Sequence, residues 1–418
     1  MSHAQPRHPS RRSLLRGVAS ACAWAGTVPF SGLSLAGTAT PGGPRQVLVI
    51  LRGGLDGLAA VPALGDPAFA DARGSLGRFA SPALPLNDLL ALHPALPGLH
   101  AAYGRGELAV LHAVGLPYRD RSHFDAQQVL ESGGEKPFAL DTGWLGRALA
   151  ASSGRGMAFQ TAVPLVLRGH AGVDTWAPSS KPDPAPDLVA RLQKLYANDA
   201  PLAAALSRAR DLRDAGAMPA MPEMAASMAN NAGGPNNANN AARQAPLILA
   251  RQAAAFLAKD DGPQAAVLEL GGWDSHANQA ADTGPLVNNL RLLDATLGAL
   301  REGLTTPAAG NTWARTVVLV VTEFGRTVAI NGTQGTDHGT GGAALVLGGA
   351  VRGGQVLADW PGLAPAQRHE GRDLRATTDL RAVFKTVLVQ HLGLPATVVA
   401  QHVLPGSASL AMLPLLRA

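Results

Sequence analysis

Short, continuous apolar runs recur along the chain at 46–51, 108–114, 164–167, 265–270, 316–321 and 343–347. Runs of this length bounded by glycine and polar residues predict strands buried on both faces. Helix-period patterns separate them at 122–130, 144–150, 245–258 and 286–304, and a late amphipathic helix is expected over 379–391 with Asp379 near its start. Strands alternating with helices predict an α/β fold, a mostly parallel central sheet flanked by helices on both faces.

Two stretches break this rhythm. Residues 215–242 consist mainly of Ala, Met, Asn, Gly and Pro with almost no charge, and hold Met218, Met221, Met224 and Met228. Such a composition packs poorly as a core element and predicts a low-complexity insertion or lid, with Cu(I) binding by the thioethers as a subsidiary idea. The other is the start. Arg11-Arg12 precede Leu14-Leu15, a weakly apolar run follows to Ala36, and Ser34 and Ala36 are small residues suited to cleavage. This predicts a signal peptide over 1–36 of the twin-arginine kind, engagement of the Tat translocase, and a periplasmic or secreted product. One domain is then expected over 45–418, with no stable membrane span.

Charge adds little beyond this. The formal net charge of +5 falls to +1 once Arg7, Arg11, Arg12 and Arg16 are set aside, so the body gives no case for nucleic acid. The single cysteine, Cys22, lies in the signal-like segment, which excludes a disulfide framework and multi-thiolate metal sites.

The candidate chemistry sits where an open α/β sheet binds ligands, just beyond strand ends. The first run leads to Arg52-Gly53-Gly54-Leu55-Asp56-Gly57, the second to Arg119-Asp120-Arg121-Ser122-His123-Phe124. The fourth leads to Gly272-Trp273-Asp274-Ser275-His276 and the fifth to Thr322-Glu323-Phe324-Gly325-Arg326. Gly335-Thr336-Asp337-His338-Gly339 precedes the last. Asp56, Asp274, His276, Glu323, Asp337 and His338 are candidate metal ligands. Acids outnumber imidazoles and no thiolate is present, which suits Zn²⁺, Mn²⁺, Mg²⁺ or Ca²⁺. Ser122 reads either as a helix cap or as a nucleophile favoured by the helix start. Arg119, Arg121 and His123 could hold an anion. His93, His100 and His112 read as surface or packing residues.

These ordered motifs resemble a bacterial exported family known as domain of unknown function 1501, over about Gln46 to Leu394. That family is grouped with the alkaline phosphatase and sulfatase superfamily. The resemblance implies an alkaline-phosphatase-like fold and metal-assisted attack on phosphate or sulfate esters. It places Asp56 as the first-strand metal acid, Ser122 as the nucleophile and Asp274 with His276 as an acid–histidine pair. Glu323 takes the first place of the later pair and His338 the final histidine. Phe324 stands where a histidine is usual, so a ligand is missing or comes from Asp337 or His123. The formylglycine signature is absent, which argues against a sulfatase of that kind.

The expected activity is therefore hydrolysis of a phosphate ester, less so a sulfate ester, by metal-activated Ser122, with Arg121 or Arg326 gripping non-bridging oxygens. The alternative is a non-catalytic, metal-stabilised protein that binds a partner or an envelope polymer.

Overall fold

A computed structural model describes residues 42–170, 172–178, 184–216, 235–280 and 282–417. The signal-like start lies outside these residues, as does most of the Met/Asn-rich segment. The described residues belong to one compact unit.

Strand β1 (Arg45–Leu51) is central in the main sheet, with β7 (Ala265–Leu270) and β8 (Thr316–Thr322) parallel on either side. The sheet continues beyond β7 through β5 (Gly156–Ala158) and β6 (Val173–Thr175), also parallel. Beyond β8 comes β9 (Gly342–Leu347), which runs antiparallel to β8 and to β4 (Leu108–Gly115). Two short strands, β10 (Gln355–Leu357) and β11 (Thr378–Asp379), pair in parallel with β4. A separate hairpin joins β2 (Leu84–Pro85) to β3 (Ala91–Leu92). The expected α/β architecture is present, with β9 the antiparallel exception.

The uninterrupted apolar runs follow from burial on both faces. Val47, Val49 and Leu51 enter one core with Val318 and Val320, while Leu48 and Ile50 enter the other with Leu319 and Val321. The helices Pro235–Leu257 and Pro285–Thr305 cover the first face; Trp144–Ser152 and Leu380–Thr386 cover the second.

Three expectations change. Residues 164–167 form no strand. Leu165–Leu167 is a 3₁₀ turn in which Leu167 and Arg168 N–H bond back to Pro164 and Leu165, and Val166 N–H donates to Glu131 Oε2 at 3.0 Å. The run is apolar because the turn is buried, which a short run cannot distinguish from a strand. The helix expected from 245 begins at Pro235, so the later part of the predicted insertion is helical backbone. The helix over 379–391 exists, capped by the Asp379 side chain at Arg381 N–H, but changes to π-helix over Val387–His391.

Candidate metal centre

Register brings the site together. Leu51 pairs with both Leu270 and Thr322, so β1, β7 and β8 end level. Their loops emerge side by side carrying Gly53-Gly54, Gly271–Asp274 and Glu323. Gly53 has φ +120°, and a Cβ there would lie 2.5 Å from the Asp274 nitrogen; only glycine permits that approach. Gly54, at φ +72°, leaves room for the Phe324 ring, which would stand 2.7 Å from an added Cβ. On the other side β4 runs into the loop before the helix His123–Ser132. His338 arrives just before β9, tied to Arg326 by an antiparallel bridge.

Four side chains converge at this edge. His338 Nε2 lies 3.0 Å from His123 Nε2, 3.0 Å from His276 Nε2 and 3.2 Å from Asp274 Oδ1. His276 Nε2 is 3.0 Å from Asp274 Oδ1, and His123 Nε2 is 3.5 Å from Asp274 Oδ2. Donors around a tetrahedral cation at Zn–N lengths of 2.0–2.1 Å are separated by about 3.3 Å. These five spacings straddle that value, and donors of His123, Asp274 and His338 all lie within 4.8 Å of one another.

The far side of each ring fixes its tautomer. His123 Nδ1 faces Glu323 Oε1 at 2.8 Å, His276 Nδ1 faces Asp337 Oδ1 at 3.1 Å, and His338 Nδ1 faces the Arg121 carbonyl at 3.0 Å. A carboxylate and a carbonyl only accept, so each Nδ1 carries the proton and donates it. With that tautomer, an unprotonated Nε2 on each ring turns its lone pair inward. Orienting contacts of this kind behind an imidazole are what a metal ligand needs. Acceptors facing acceptors cannot satisfy one another, whereas a cation beside His338 would offset the lone pairs gathered there.

Charge is arranged to match. Burial works against ionised Asp274, but the Arg326 guanidinium, 2.6 Å from Oδ1, outweighs it and holds the carboxyl below its usual range. Burial also works against Glu323, and donors from His123, Gln127 and the Gly53 backbone outweigh it. Asp337 is held low by Asn331 first and then by His276. Burial pushes His338 below its ordinary value, which favours the neutral ring; the Glu323 contact raises His123. The Phe324 ring, 4.7 Å from the His123 ring and 4.9 Å from that of His338, gives the centre an apolar wall.

The residues named from the sequence divide into two layers. Asp274, His276 and His338 are in the cluster itself. Glu323 and Asp337 stand behind His123 and His276; three donors already occupy Glu323 Oε1. Asp56 is elsewhere in its bonding. It caps the turn at Ala59 N–H and takes donors from Arg73 and from Gln279 Nε2 at 2.7 Å, buried at 1% exposure. Ser122 precedes the His123–Ser132 helix and makes no side-chain cap there. Arg121 is bound to Asp373 at 2.8 Å and Glu370 at 2.5 Å, and Arg326 to Asp274 and the Thr336 carbonyl. Neither guanidinium reaches out for a ligand. His123, considered from sequence only as an anion holder or substitute ligand, is a full member; its signal was its place at a helix start directly after β4. The cluster also reverses the count of acids over imidazoles, with three imidazoles to one carboxylate. His93 and His112 are buried and hydrogen-bonded to backbone, as expected of packing residues.

The fold and this cluster define an α/β protein with a three-histidine, one-carboxylate candidate metal centre at the carboxyl edge of its sheet. The profile of the family described as "Protein of unknown function (DUF1501)" matches residues 98–405, and the chain belongs to that family. No curated protein matches it in sequence. Among solved structures, it is similar to a phosphonate monoester hydrolase of Agrobacterium radiobacter, with 12% identity, 84% of this chain and 74% of that chain covered, and a TM-score of 0.39. It is also similar to the PsFucS1 sulfatase from Pseudoalteromonas sp., with 14% identity, coverage of 85% and 70%, and a TM-score of 0.39.

Proposed function

We propose that the chain is a metal-dependent hydrolase of anionic esters, phosphate in preference to sulfate, built around one divalent cation held by His123, Asp274, His276 and His338. The observation that carries this reading is the approach of His123 Nε2, His276 Nε2 and the Asp274 carboxylate to His338 Nε2, with donors of His123, Asp274 and His338 all within 4.8 Å of one another. Three nitrogens and one oxygen suit Zn²⁺ or Mn²⁺ better than Mg²⁺ or Ca²⁺. A bound cation would supply Lewis acidity toward an ester oxygen and lower the pKa of a nearby hydroxyl.

The chain's own residues do the rest. Ser122 sits one residue before His123, at the positive end of a 10-residue helix, where an anionic oxygen is favoured. Its hydroxyl proton passes to solvent water as Oγ bonds to phosphorus and the P–O bond to the leaving group breaks, the leaving oxygen taking up a proton from water; a second water then attacks phosphorus, the Oγ–P bond breaks, and Oγ regains a proton as phosphate departs. Arg326 orients Asp274, Glu323 orients His123, and Phe324 keeps water from one side of the centre. The basic, then weakly apolar start supports export through the twin-arginine translocase to the periplasm or beyond. Among the described residues no helix is long and apolar enough to cross a membrane.

The test is turnover of an aryl phosphate mono- or diester by the purified chain loaded with Zn²⁺ or Mn²⁺. Chelation abolishes it, Asp274→Ala loses metal and turnover together, and Ser122→Ala keeps metal but loses turnover. Full activity in Asp274→Ala ends this reading. One observation favours the non-catalytic alternative: Arg121 and Arg326 are both bound within the protein, not offered to a substrate. Stoichiometric metal with no turnover across a broad ester panel selects that alternative.

A further inference from the structure

Two exposed aromatic rings lie on and just beyond the helix that carries His123. Phe124 is 84% exposed and Phe138 73%, the two largest values for a large apolar side chain among the described residues. Rings of this size are ordinarily covered. Phe138 is moreover held at φ +57°, an outlier for a bulky residue. Gln128 fixes it there: Oε1 accepts the Phe138 N–H at 2.8 Å, while Nε2 donates to the Leu140 carbonyl at 2.7 Å. Gln128 lies four residues after Phe124, so Phe124 and the attachment point of Phe138 share one helix face. The adjoining face turns to the centre, where His123 meets His338 and Gln127 donates to Glu323. A strained backbone that delivers an apolar ring to water gains nothing for folding. Outliers of that kind gather at functional sites.

We infer that Phe124 and Phe138 form the recognition face for the organic part of the substrate, an aryl group, whose anionic head binds at the metal centre. The inference rests on the hydrolase reading.

Calorimetric titration of the zinc-loaded full chain with phenylphosphonate and methylphosphonate tests this. The two share a phosphonate head, fully ionised in both at mildly alkaline pH where the titration is run, and contain no ester bond, so turnover does not intrude. Phenylphosphonate is expected to bind about tenfold more tightly. Phe124→Ala and Phe138→Gly should each remove most of that advantage, with metal content and methylphosphonate affinity unchanged. Both rings are exposed and glycine relieves the Phe138 backbone, so both variants should fold. Equal binding of the two phosphonates by the parent chain, or an intact advantage in both variants, overturns the aromatic inference and leaves the metal reading standing. Binding of neither phosphonate by a fully metal-loaded chain overturns both.

Discussion

His338 Nε2 stands 3.0 Å from His123 Nε2, and the bonds on the far side of each ring leave neither nitrogen a proton for the other. Without a cation the centre relaxes only by taking up protons or by separating the rings. The purified chain should therefore carry one divalent cation, measured by elemental analysis. A ligand present at a thousandfold excess over its dissociation constant stabilises the folded state by about 4 kcal/mol. Chelation should lower the melting temperature and Zn²⁺ should restore it. Two cations per chain, or identical melting with and without metal, would contradict the four-donor site.

The acids behind the imidazoles should matter unequally. Glu323→Gln removes the charge that orients His123, and a loss of about 10–100-fold in metal affinity is expected with the fold retained. Asp337→Asn acts on His276 in the same way, but its side chain is 48% exposed whereas that of Glu323 is fully buried. Solvent screens the former, so its effect should be smaller. A competition titration against a metal indicator ranks the two. Equal effects would show that burial does not set their strength.

The Asp56–Arg73 pair should be structural. Both side chains are fully buried, with Gln279 Nε2 as a further donor to Asp56. Arg73→Met leaves a buried carboxylate short of its cation and should cost about 3–5 kcal/mol in urea unfolding. Adding Asp56→Asn should recover much of that loss, and metal content should stay at one per chain throughout. If Arg73→Met alone changed the metal stoichiometry, Asp56 would belong to the centre after all.

How much of this was readable in advance depends on the range of each interaction. The apolar runs of β1, β7 and β8 are visible because both faces are buried, so every position along them is constrained. The run at 164–167 carries the same signature for a different reason, a buried turn bonded to Glu131. Asp274, His276 and His338 stood out because close backbone approach forces glycines beside them. The bonding of Asp56 could not be read. Its partner Arg73 lies 17 residues on, after a turn that no periodic pattern marks, and Gln279 comes from another strand's loop. The tautomer-fixing contacts, such as His123 with Glu323, join segments 200 residues apart and appear only once the strands are in register.

His112 offers a test of the interior away from the candidate metal centre. It sits on β4 with Nε2 donating to the carbonyls of Gly57 at 3.3 Å and Val61 at 3.1 Å, while Nδ1 accepts the Ala113 N–H at 2.8 Å. A ring that accepts at one nitrogen and is wholly buried resists a second proton, and burial pushes its pKa down to about 4. The unfolded chain binds that proton near pH 6.5. Between these values the unfolded state holds a proton that the folded state refuses, so stability falls as pH drops through 6.5 toward 4 and levels off below. Its share at pH 4.5 is roughly 2 to 3 kcal/mol. Other groups of the chain also respond to acid, so the measurement must be a difference. Urea unfolding at pH 7.5 and pH 4.5 should show His112→Gln less stable than the parent at the higher pH, yet losing roughly 2 to 3 kcal/mol less on acidification. Equal losses in the two chains would mean that the folded state accepts the proton, and that the bonds to Gly57 and Val61 do not hold the ring neutral.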